Sequence, residues 1–387
     1  MDLVPKPDQV VAAAGNVAHL LRHRSLADLR PMPRSLVDAG DAHEVHRYDT
    51  APVVTPQGDP VLLVSPLAAP PECYDLRRGC SLVEHLVADG RPTYLVEYGD
   101  VSFRDADQRI GPWGLDAVPE AVRAASRDAG GRPVHLVGWG LGGIFAALVA
   151  ADGADLPIAS LTLLGSPFDV TGVPMVAPLR PLLTAADVPD PLRNAHRVLR
   201  AVSPRVVRWA VGLATSPEIV SRPVAVAAHL DDRDWLAQVE AVDRFRGATA
   251  AYPGRSFGQL YHRFAAGNVL ATGTVAVGGR TVSLAAVTAP TLVVAGASDA
   301  IAPVASVRSA VPLLTGAPEA RLEIVPGGHL GLLTGRAART TTWPTLDAWF
   351  REWDDGAAPP TVEEPIGTNR RRRHSSAASR ALAQRSQ

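Results

Sequence analysis

Short apolar runs, each about as long as a buried strand, alternate along the chain with stretches in which apolar residues recur at helical spacing. The strand-like runs lie at 60–66, 93–98, 134–139, 159–165, 290–296 and 321–326. A weaker run at 43–50 opens the series, and 115–129 is a typical helical stretch. This alternation predicts an α/β fold, in which helices flank a mostly parallel central sheet.

The alternation stops after Asp169 and resumes at about Val282, and the interval is helical and punctuated by prolines. We interpret the interval as a cap, apolar on its inner side, that roofs the carboxyl end of the sheet. A hairpin pattern at 273–282 returns the chain to the core. The predicted division is an N-terminal helical extension (1–42, with an amphipathic helix at 8–22), an α/β core in two pieces (43–169 and 282–353), the cap (170–281) and a tail (354–387).

The tail has the composition of a disordered segment, rich in Gly, Ala, Pro, Ser and Arg. It contains a short basic run, Arg370–Arg373. We interpret this run as a solvated linker, and contact with acidic lipid or nucleic acid is the alternative.

The segment 134–143 has the frame of a nucleophile elbow, the G-x-S-x-G turn that lifts a nucleophile from the end of a strand into an active site. Gly138 and Gly142 occupy the two glycine positions, and Gly140 stands where a Ser or Cys belongs. No acyl-enzyme can form through a residue that has no side chain. Glycine also adopts the strained backbone of such a turn without a Cβ clash, so the substitution should preserve the fold.

The same glycines match a second pattern. Gly138-x-Gly140-x-x-Gly143 is the G-x-G-x-x-G fingerprint of dinucleotide-binding proteins, between a strand and a helix. That fingerprint expects an acidic residue at the end of the next strand. The run 159–165 ends without one, and Asp169 lies beyond a proline. Dinucleotide binding is therefore the less favoured of the two hypotheses.

Two polar residues lie downstream of the elbow, each just past a strand. Asp299 follows the run 290–296, and His329 lies on a glycine-rich loop after the run 321–326. Carboxyl ends of strands are where α/β sheets place their chemistry, and the order nucleophile, acid, histidine is that of hydrolases with this elbow. We therefore predict Asp299 as the orienting acid and His329 as the base.

Three other residues are alternative nucleophiles: Ser65, Cys73 and Ser166. None of them lies in an elbow of its own, and we interpret each as structural.

At these residues the sequence resembles the α/β-hydrolase superfamily, and within it the poly(3-hydroxyalkanoate) synthase/depolymerase-like branch. The resemblance covers about 43–352 and is carried by 60–66, 74–77, 81–86, the elbow, 161–169 and the loops of Asp299 and His329. Segments 327–336 and 366–380 resemble an actinobacterial subgroup that in mycobacteria can be joined to an acyl-CoA synthetase.

The resemblance implies acyl-ester or hydroxyacyl-thioester substrates, a Cys or Ser nucleophile, no cofactor and an acyl-CoA synthetase as a potential partner. It assigns Gly140 to the vacant nucleophile position, Asp299 to the acid and His329 to the base. The oxyanion hole would use the backbone N–H of Leu141 and one from the loop after the first core strand. Leu67 is the candidate for that second donor, because Pro66 has no N–H.

Composition and charge limit the classes of protein to which the chain can belong. The chain has 387 residues, 47% of them hydrophobic, and a formal net charge of −1, which gives no electrostatic case for nucleic acid. Two cysteines, Cys73 and Cys80, make neither a disulfide framework nor a metal site. No apolar run approaches the roughly 20 residues that span a bilayer, and no secretory signal is visible. We expect a cytoplasmic protein that does not span a membrane.

Two functional hypotheses follow. In the first, His329 activates a water lodged where the Ser side chain would be, the Leu141 N–H polarises the carbonyl, and the protein is a weak hydrolase with the ancestry of an esterase or acyltransferase. In the second, the old pocket binds an acyl group or a partner without chemistry, as in a pseudoenzyme.

Overall fold

Eight strands form one sheet in the computed structural model, which describes residues 6–41, 43–66, 69–98, 112–153, 155–174, 222–248, 267–277 and 279–354. The strands are β1 (Arg34–Ala39), β2 (His43–Tyr48), β3 (Val61–Val64), β4 (Thr93–Tyr98), β5 (Val134–Trp139), β6 (Ile158–Leu164), β9 (Thr291–Gly296) and β10 (Ala320–Val325). A separate hairpin consists of β7 (Thr274–Val277) and β8 (Arg280–Ser283).

The order across the sheet is β1-β2-β4-β3-β5-β6-β9-β10. β2 runs antiparallel to both of its neighbours, and every other pair in this sheet is parallel. The predicted fold class is thereby confirmed. Since β3 lies between β4 and β5, the chain turns to opposite sides of β3, and the carboxyl ends of strands at such a switch point are where open α/β sheets bind their ligands.

Helices cover both faces of the sheet. Those in the described residues are α1 (Pro7–His23), α2 (Leu82–Ala88), α3 (Ala117–Asp128), α4 (Leu141–Asp152), α5 (Arg222–Ala228), α6 (Arg233–Ala248), α7 (Val304–Arg308), α8 (Gly331–Thr334) and α9 (Thr342–Trp353). α3, α4 and the hairpin pack in one apolar cluster. α2, α8 and α9 pack in a second cluster. None of these helices is both long and apolar enough to cross a bilayer.

The predicted N-terminal extension is wrong in one respect. The helix at its start is present as α1, but 34–39 forms β1, the edge strand of the sheet, paired with β2. A register shift between Leu36 and Asp38 breaks the period-two pattern, so β1 has no clean sequence signal. The exposed edge of β2 supplies the pairing partner that the local sequence does not reveal.

The predicted cap is described only in part, as 170–174, α5, α6 and the segment around the hairpin. Residues 175–221 and 249–266 lie outside the described residues, so the boundaries of the cap stay a prediction. The same holds for 355–387, which includes the run Arg370–Arg373.

The predicted boundary between core and tail is also corrected. Asp354, the first residue of the predicted tail, is bonded to residues of the core. Its carboxylate accepts two hydrogen bonds from the Arg91 guanidinium at 2.8 and 3.0 Å, and one from the Asp59 N–H at 2.7 Å. His135 Nε2 lies 3.1 Å from the same carboxylate. Burial opposes ionisation, but the bonds from His135, Arg91 and Asp59 outweigh it and hold the pKa of Asp354 well below its ordinary value.

Replacing Asp354 with Asn should lower the free energy of unfolding at pH 7 by about 3–5 kcal/mol, the usual cost of removing one partner from a buried ion pair. The Arg91 side chain, 3% exposed, would keep its charge without a partner. Urea denaturation measures the change, and Asp155→Asn, at an exposed position, is the control.

The pH dependence gives a second readout for Asp354. A carboxyl whose pKa is lowered by folding stabilises the protein above its ordinary pKa of about 3.9, and that contribution disappears as the pH falls further. Asp354→Asn should therefore flatten the loss of stability below about pH 4. Equal acid sensitivity in both proteins would contradict this assignment.

Candidate active site

The predicted strand-to-helix turn is present. β5 ends at Trp139, Gly140 has φ 55° and ψ −119°, and α4 begins at Leu141. The Gly140 N–H donates to the Leu164 carbonyl at 2.9 Å, which ties the turn to the end of β6. A positive φ of this kind is strained for any residue that carries a Cβ. The turn therefore has the geometry of an elbow, with glycine at its apex.

Close packing explains the other glycines of the motif. A Cβ on Gly142 would collide with the Val64 carbonyl oxygen, and a Cβ on Gly138 would lie 2.5 Å from the Gly143 nitrogen. The first turn of α4 can thus approach β3 and β5 only because these positions lack side chains. The glycine spacing is accounted for by packing within the elbow and requires no bound phosphate.

Asp299 and His329 meet beside this turn. Asp299 Oδ2 lies 2.8 Å from His329 Nδ1. The other carboxylate oxygen, Oδ1, accepts hydrogen bonds from the backbone N–H groups of Ile301 and Ala302, both at 2.8 Å. The Asp299 side chain is fully buried, whereas that of His329 is 15% exposed. The backbone bonds fix the carboxylate so that one oxygen is left for the imidazole.

The second ring nitrogen of His329 faces position 140. A Cβ built on Gly140 would lie 3.3 Å from His329 Nε2 and 3.8 Å from Cγ of Pro66. The space for a nucleophile side chain is thus bordered by the imidazole on one side and by the end of β3 on another. The structure brings Gly140, Asp299 and His329 together, and their catalytic roles stay predictions.

Trp139 holds His329 in place and was missed by the sequence analysis. Its indole Nε1–H donates to the His329 carbonyl oxygen at 3.0 Å, and the two rings lie 4.8 Å apart. On its other side, Trp139 lies 6.3 Å from the Phe245 ring of α6. Adjacency to Gly140 in the sequence was the only available signal, because the direction of a strand side chain depends on the pleat of the sheet.

Gly165 is the second residue that the sequence analysis missed. It follows β6 with φ 54°, and a Cβ there would lie 3.3 Å from His329 Nδ1 and 3.4 Å from Asp299 Oδ2. Its third close neighbour would be Leu332 Cδ2, at 3.0 Å. Gly165 therefore leaves the space in which the carboxylate and the imidazole meet.

The structure describes only one of the two predicted oxyanion-hole donors. Leu141 is the first residue of α4, where a backbone N–H has no partner within its helix and points out of the N-terminus. Leu67 lies outside the described residues. The Leu141 N–H is placed next to position 140, and the second donor stays a prediction.

The alternative nucleophiles are poorly placed for attack. Ser65, Cys73 and Ser166 are all buried. Burial raises the pKa of the Cys73 thiol far above its ordinary value, which opposes formation of a thiolate. The Ser166 hydroxyl donates to the Leu164 carbonyl at 3.3 Å. These contacts support a structural interpretation of all three.

Two groups of His and carboxylate side chains in the described residues are close enough to share an ion: Glu44, His46 and Glu97, and Asp59, His135 and Asp354. In the first group Arg34 already pairs with Glu97 at 2.6 Å. In the second group Arg91 pairs with Asp354. The second group lies near the start of β5, at the opposite end of the strand from Gly140. The first group lies on β2 and β4, which β3 separates from β5.

A family model for the alpha/beta hydrolase fold matches residues 71–336, well over half of the chain. The chain belongs to the alpha/beta hydrolase fold family. This assignment favours the elbow over the dinucleotide hypothesis for the glycine motif.

Relatives and solved structures are distant. The hydrolase-fold chain is 24% identical over 322 residues to the poly(3-hydroxyalkanoate) polymerase subunit PhaC of Thiocystis violacea, covering 83% of this chain and 88% of that protein. The PhaC subunit of Allochromatium vinosum is 25% identical over 324 residues, with the same coverage. A solved structure of a malate-bound thermophilic esterase from Thermogutta terrifontis covers 82% of this chain and 98% of its own, with 15% identity and a TM-score of 0.49.

Replacing Gly165 with Ala should displace Asp299 and His329 relative to each other by a few tenths of an ångström, because the new methyl group would lie 3.3 Å from His329 Nδ1 and 3.4 Å from Asp299 Oδ2. The low-field NMR signal of the His329 Nδ1 proton, hydrogen-bonded to Asp299, should shift or disappear. The matched control is Gly79→Ala, at φ 71° with no heavy atom within 4 Å of the new Cβ. Both variants carry the strain of a positive φ, about 1 kcal/mol or more. An unchanged His329 signal in Gly165→Ala would contradict the role given to Gly165.

Proposed function

We propose that the protein slowly hydrolyses acyl esters or thioesters bound in the crevice at the ends of β3 and β5, with water in place of a side-chain nucleophile. The observation that carries this proposal is the 3.3 Å between His329 Nε2 and the open Cβ position of Gly140. A general base must lie about 2.6–3.2 Å from the atom whose proton it takes. A water in the open space at Gly140 would be within that range of the imidazole.

The chemistry follows from the contacts of each residue. Asp299 accepts the Nδ1–H of His329, which leaves Nε2 free to take a proton from water as the water oxygen attacks the acyl carbon. The Leu141 N–H donates to the oxygen that becomes negatively charged. His329 then returns the proton to the departing alcohol or thiol. The products are a carboxylic acid and that alcohol or thiol.

Because position 140 has no side chain, the proposed reaction is limited to direct attack of water on the acyl carbon. A chain without a side chain at position 140 cannot hold a covalent acyl group there, so acyl transfer through an acyl-enzyme at this position is excluded. The proposed relationship to the polymerase subunits therefore concerns the substrate class rather than the polymerisation step. Because those relatives are named for poly(3-hydroxyalkanoate), 3-hydroxyacyl esters and thioesters are the first substrates to test.

The protein should release thiol from 3-hydroxybutyryl-CoA up to about 10³–10⁴-fold faster than the uncatalysed reaction. Triad enzymes that have lost one triad member retain about this rate enhancement. His329→Ala and Asp299→Asn should lower the rate of thiol release by the part that general-base catalysis supplies, about 10²-fold or more, with their folding checked by circular dichroism.

A binding protein is the second candidate, and the observation that favours it is Gly140 itself. If thiol release equals the background while a non-hydrolysable acyl-CoA analogue binds saturably, the binding function replaces the proposed hydrolysis. Two further expectations from the sequence, a cytoplasmic location and an acyl-CoA synthetase as partner, stay predictions.

Gly140→Ser should raise esterase activity toward medium and long acyl p-nitrophenyl esters by several orders of magnitude. Loss of a triad nucleophile alone can reduce kcat by about 10⁶, so restoring one has a large potential effect. The stability cost should be on the order of 1–3 kcal/mol, the strain of a non-glycine residue in this turn.

Gly140→Ala is the matched control, because it adds the same Cβ and the same strain without a hydroxyl group. Gly140→Ser combined with His329→Ala should also lack the gain. A folded Gly140→Ser variant that stays as inactive as Gly140→Ala would show that the pocket no longer supports acyl chemistry.

A further inference from the structure

The N-terminal helix α1 packs with its polar side against the protein and its apolar side outward. Asn16, which is 7% exposed, donates from Nδ2 to the Leu230 carbonyl at 2.8 Å. Gln9 donates to the Asp231 carboxylate at 2.9 Å. Positions 9 and 16 are seven residues apart, two turns of helix, and so lie on the same face. This orientation is the reverse of that of an ordinary amphipathic surface helix.

The outward face of α1 is apolar along its whole length. Val10, Ala14, Val17 and Leu21 recur at spacings of four, three and four residues, which places them on one face of the helix. Val10, Val17 and Leu21 are 51%, 41% and 79% exposed. Val11 extends the face and is 72% exposed.

This concentration of exposed apolar side chains is peculiar to α1. Nine large apolar residues of the described chain are exposed, and five of the nine belong to this one helix of 17 residues. Four of the five form the outward face, and the fifth, Leu20, lies four residues after Asn16 on the inward side. Single exposed apolar residues are common, but a contiguous apolar strip marks a surface that is covered in the functional state.

The charges at the two ends of α1 indicate what covers the strip. Lys6 lies just before the helix, Arg22 in its last turn and Arg24 just after it, and all three are exposed. Asp8 is the single acidic residue within the helix. An apolar face with a basic surround is the pattern of helices that lie in the interface of an anionic membrane.

A second copy of the chain fits the strip less well. A helix of 17 residues is about 26 Å long and about 10 Å wide, so two such faces would bury roughly 500 Å² in total. Stable protein interfaces bury about 1,200–2,000 Å². Binding to a lipid surface does not need this much buried area, because affinity for lipid grows with each apolar side chain that enters the acyl region.

We propose that α1 is an interfacial helix that docks the protein on an anionic lipid surface through Val10, Val11, Val17 and Leu21. The helix is joined to the cap, since the Leu26 and Ala27 N–H groups, just after α1, donate to the Glu240 carboxylate of α6 at 2.7 and 3.1 Å. Docking therefore places α6, the cap helix in contact with Trp139, close to the lipid surface.

The test is co-sedimentation of the full chain with 100 nm vesicles of phosphatidylcholine alone and of phosphatidylcholine with phosphatidylglycerol. The protein should bind the anionic vesicles, and 0.5 M NaCl should weaken the binding. Val11→Glu with Leu21→Glu should reduce the binding by at least about tenfold, because two charged groups would replace apolar ones in the acyl region. Val53→Glu, at a position 91% exposed and outside α1, is the matched control and should bind like the parent.

Three results would overturn the proposal. Equal vesicle binding by parent and double variant would assign any binding to another segment, such as the Arg370–Arg373 run. A parent that does not bind anionic vesicles would exclude the lipid surface directly. A concentration-dependent dimer in analytical ultracentrifugation that the double variant abolishes, without vesicle binding by the parent, would assign α1 to a contact between copies.

Discussion

The left-handed turn at Gly140 is the constraint on which the rest of the site depends. It reverses the chain between β5 and α4 in a single residue, directs position 140 toward His329 and leaves the Leu141 N–H at the start of a helix. The turn cannot shift, because Gly142 packs against the Val64 carbonyl, and the Gly140 N–H is bonded to the Leu164 carbonyl. The geometry at position 140 is therefore set by the sheet and does not need a side chain to maintain it.

The pairing of Asp299 and His329 has a structural component as well as a potential chemical one. A buried carboxylate must be hydrogen-bonded, and Asp299 meets that need through two backbone N–H groups and His329 Nδ1. Two contacts hold His329: its carbonyl oxygen accepts a hydrogen bond from Trp139, and its Nδ1 is bonded to Asp299. None of these contacts uses Nε2, yet Nε2 is the atom that faces position 140. A purely structural histidine would not require that orientation, which is why the dyad favours chemistry over stability alone.

The sequence predicted what depends on local pattern. Buried strands of parallel sheets are continuous apolar runs, so β3 to β6, β9 and β10 could be located, and strand ends then marked Asp299 and His329. β1 could not be located, because its pairing comes from β2 and its bulge removes the period-two signal. Trp139 and Gly165 were missed because their contacts with His329 depend on the pleat of β5 and on the order of β6 and β9 across the sheet. Asp354 was assigned to the tail because a buried pairing with Arg91, 263 residues away, leaves no trace in composition.

Helix α6 is hydrogen-bonded to the segment that follows His329, and this affects access to position 140. Gln238 of α6 donates to the Thr334 carbonyl at the end of α8, and Asp234 accepts from the buried Arg77 guanidinium at 2.7 Å. Moving α6 away would leave Arg77, whose side chain is 6% exposed, without its carboxylate partner, which is costly for a buried charge. The Gln238 bond ties α6 to the end of α8, and α8 begins two residues after His329. Displacement of α6 would therefore disturb the segment that carries the imidazole, so access to position 140 without such a disturbance requires a path that leaves α6 in place.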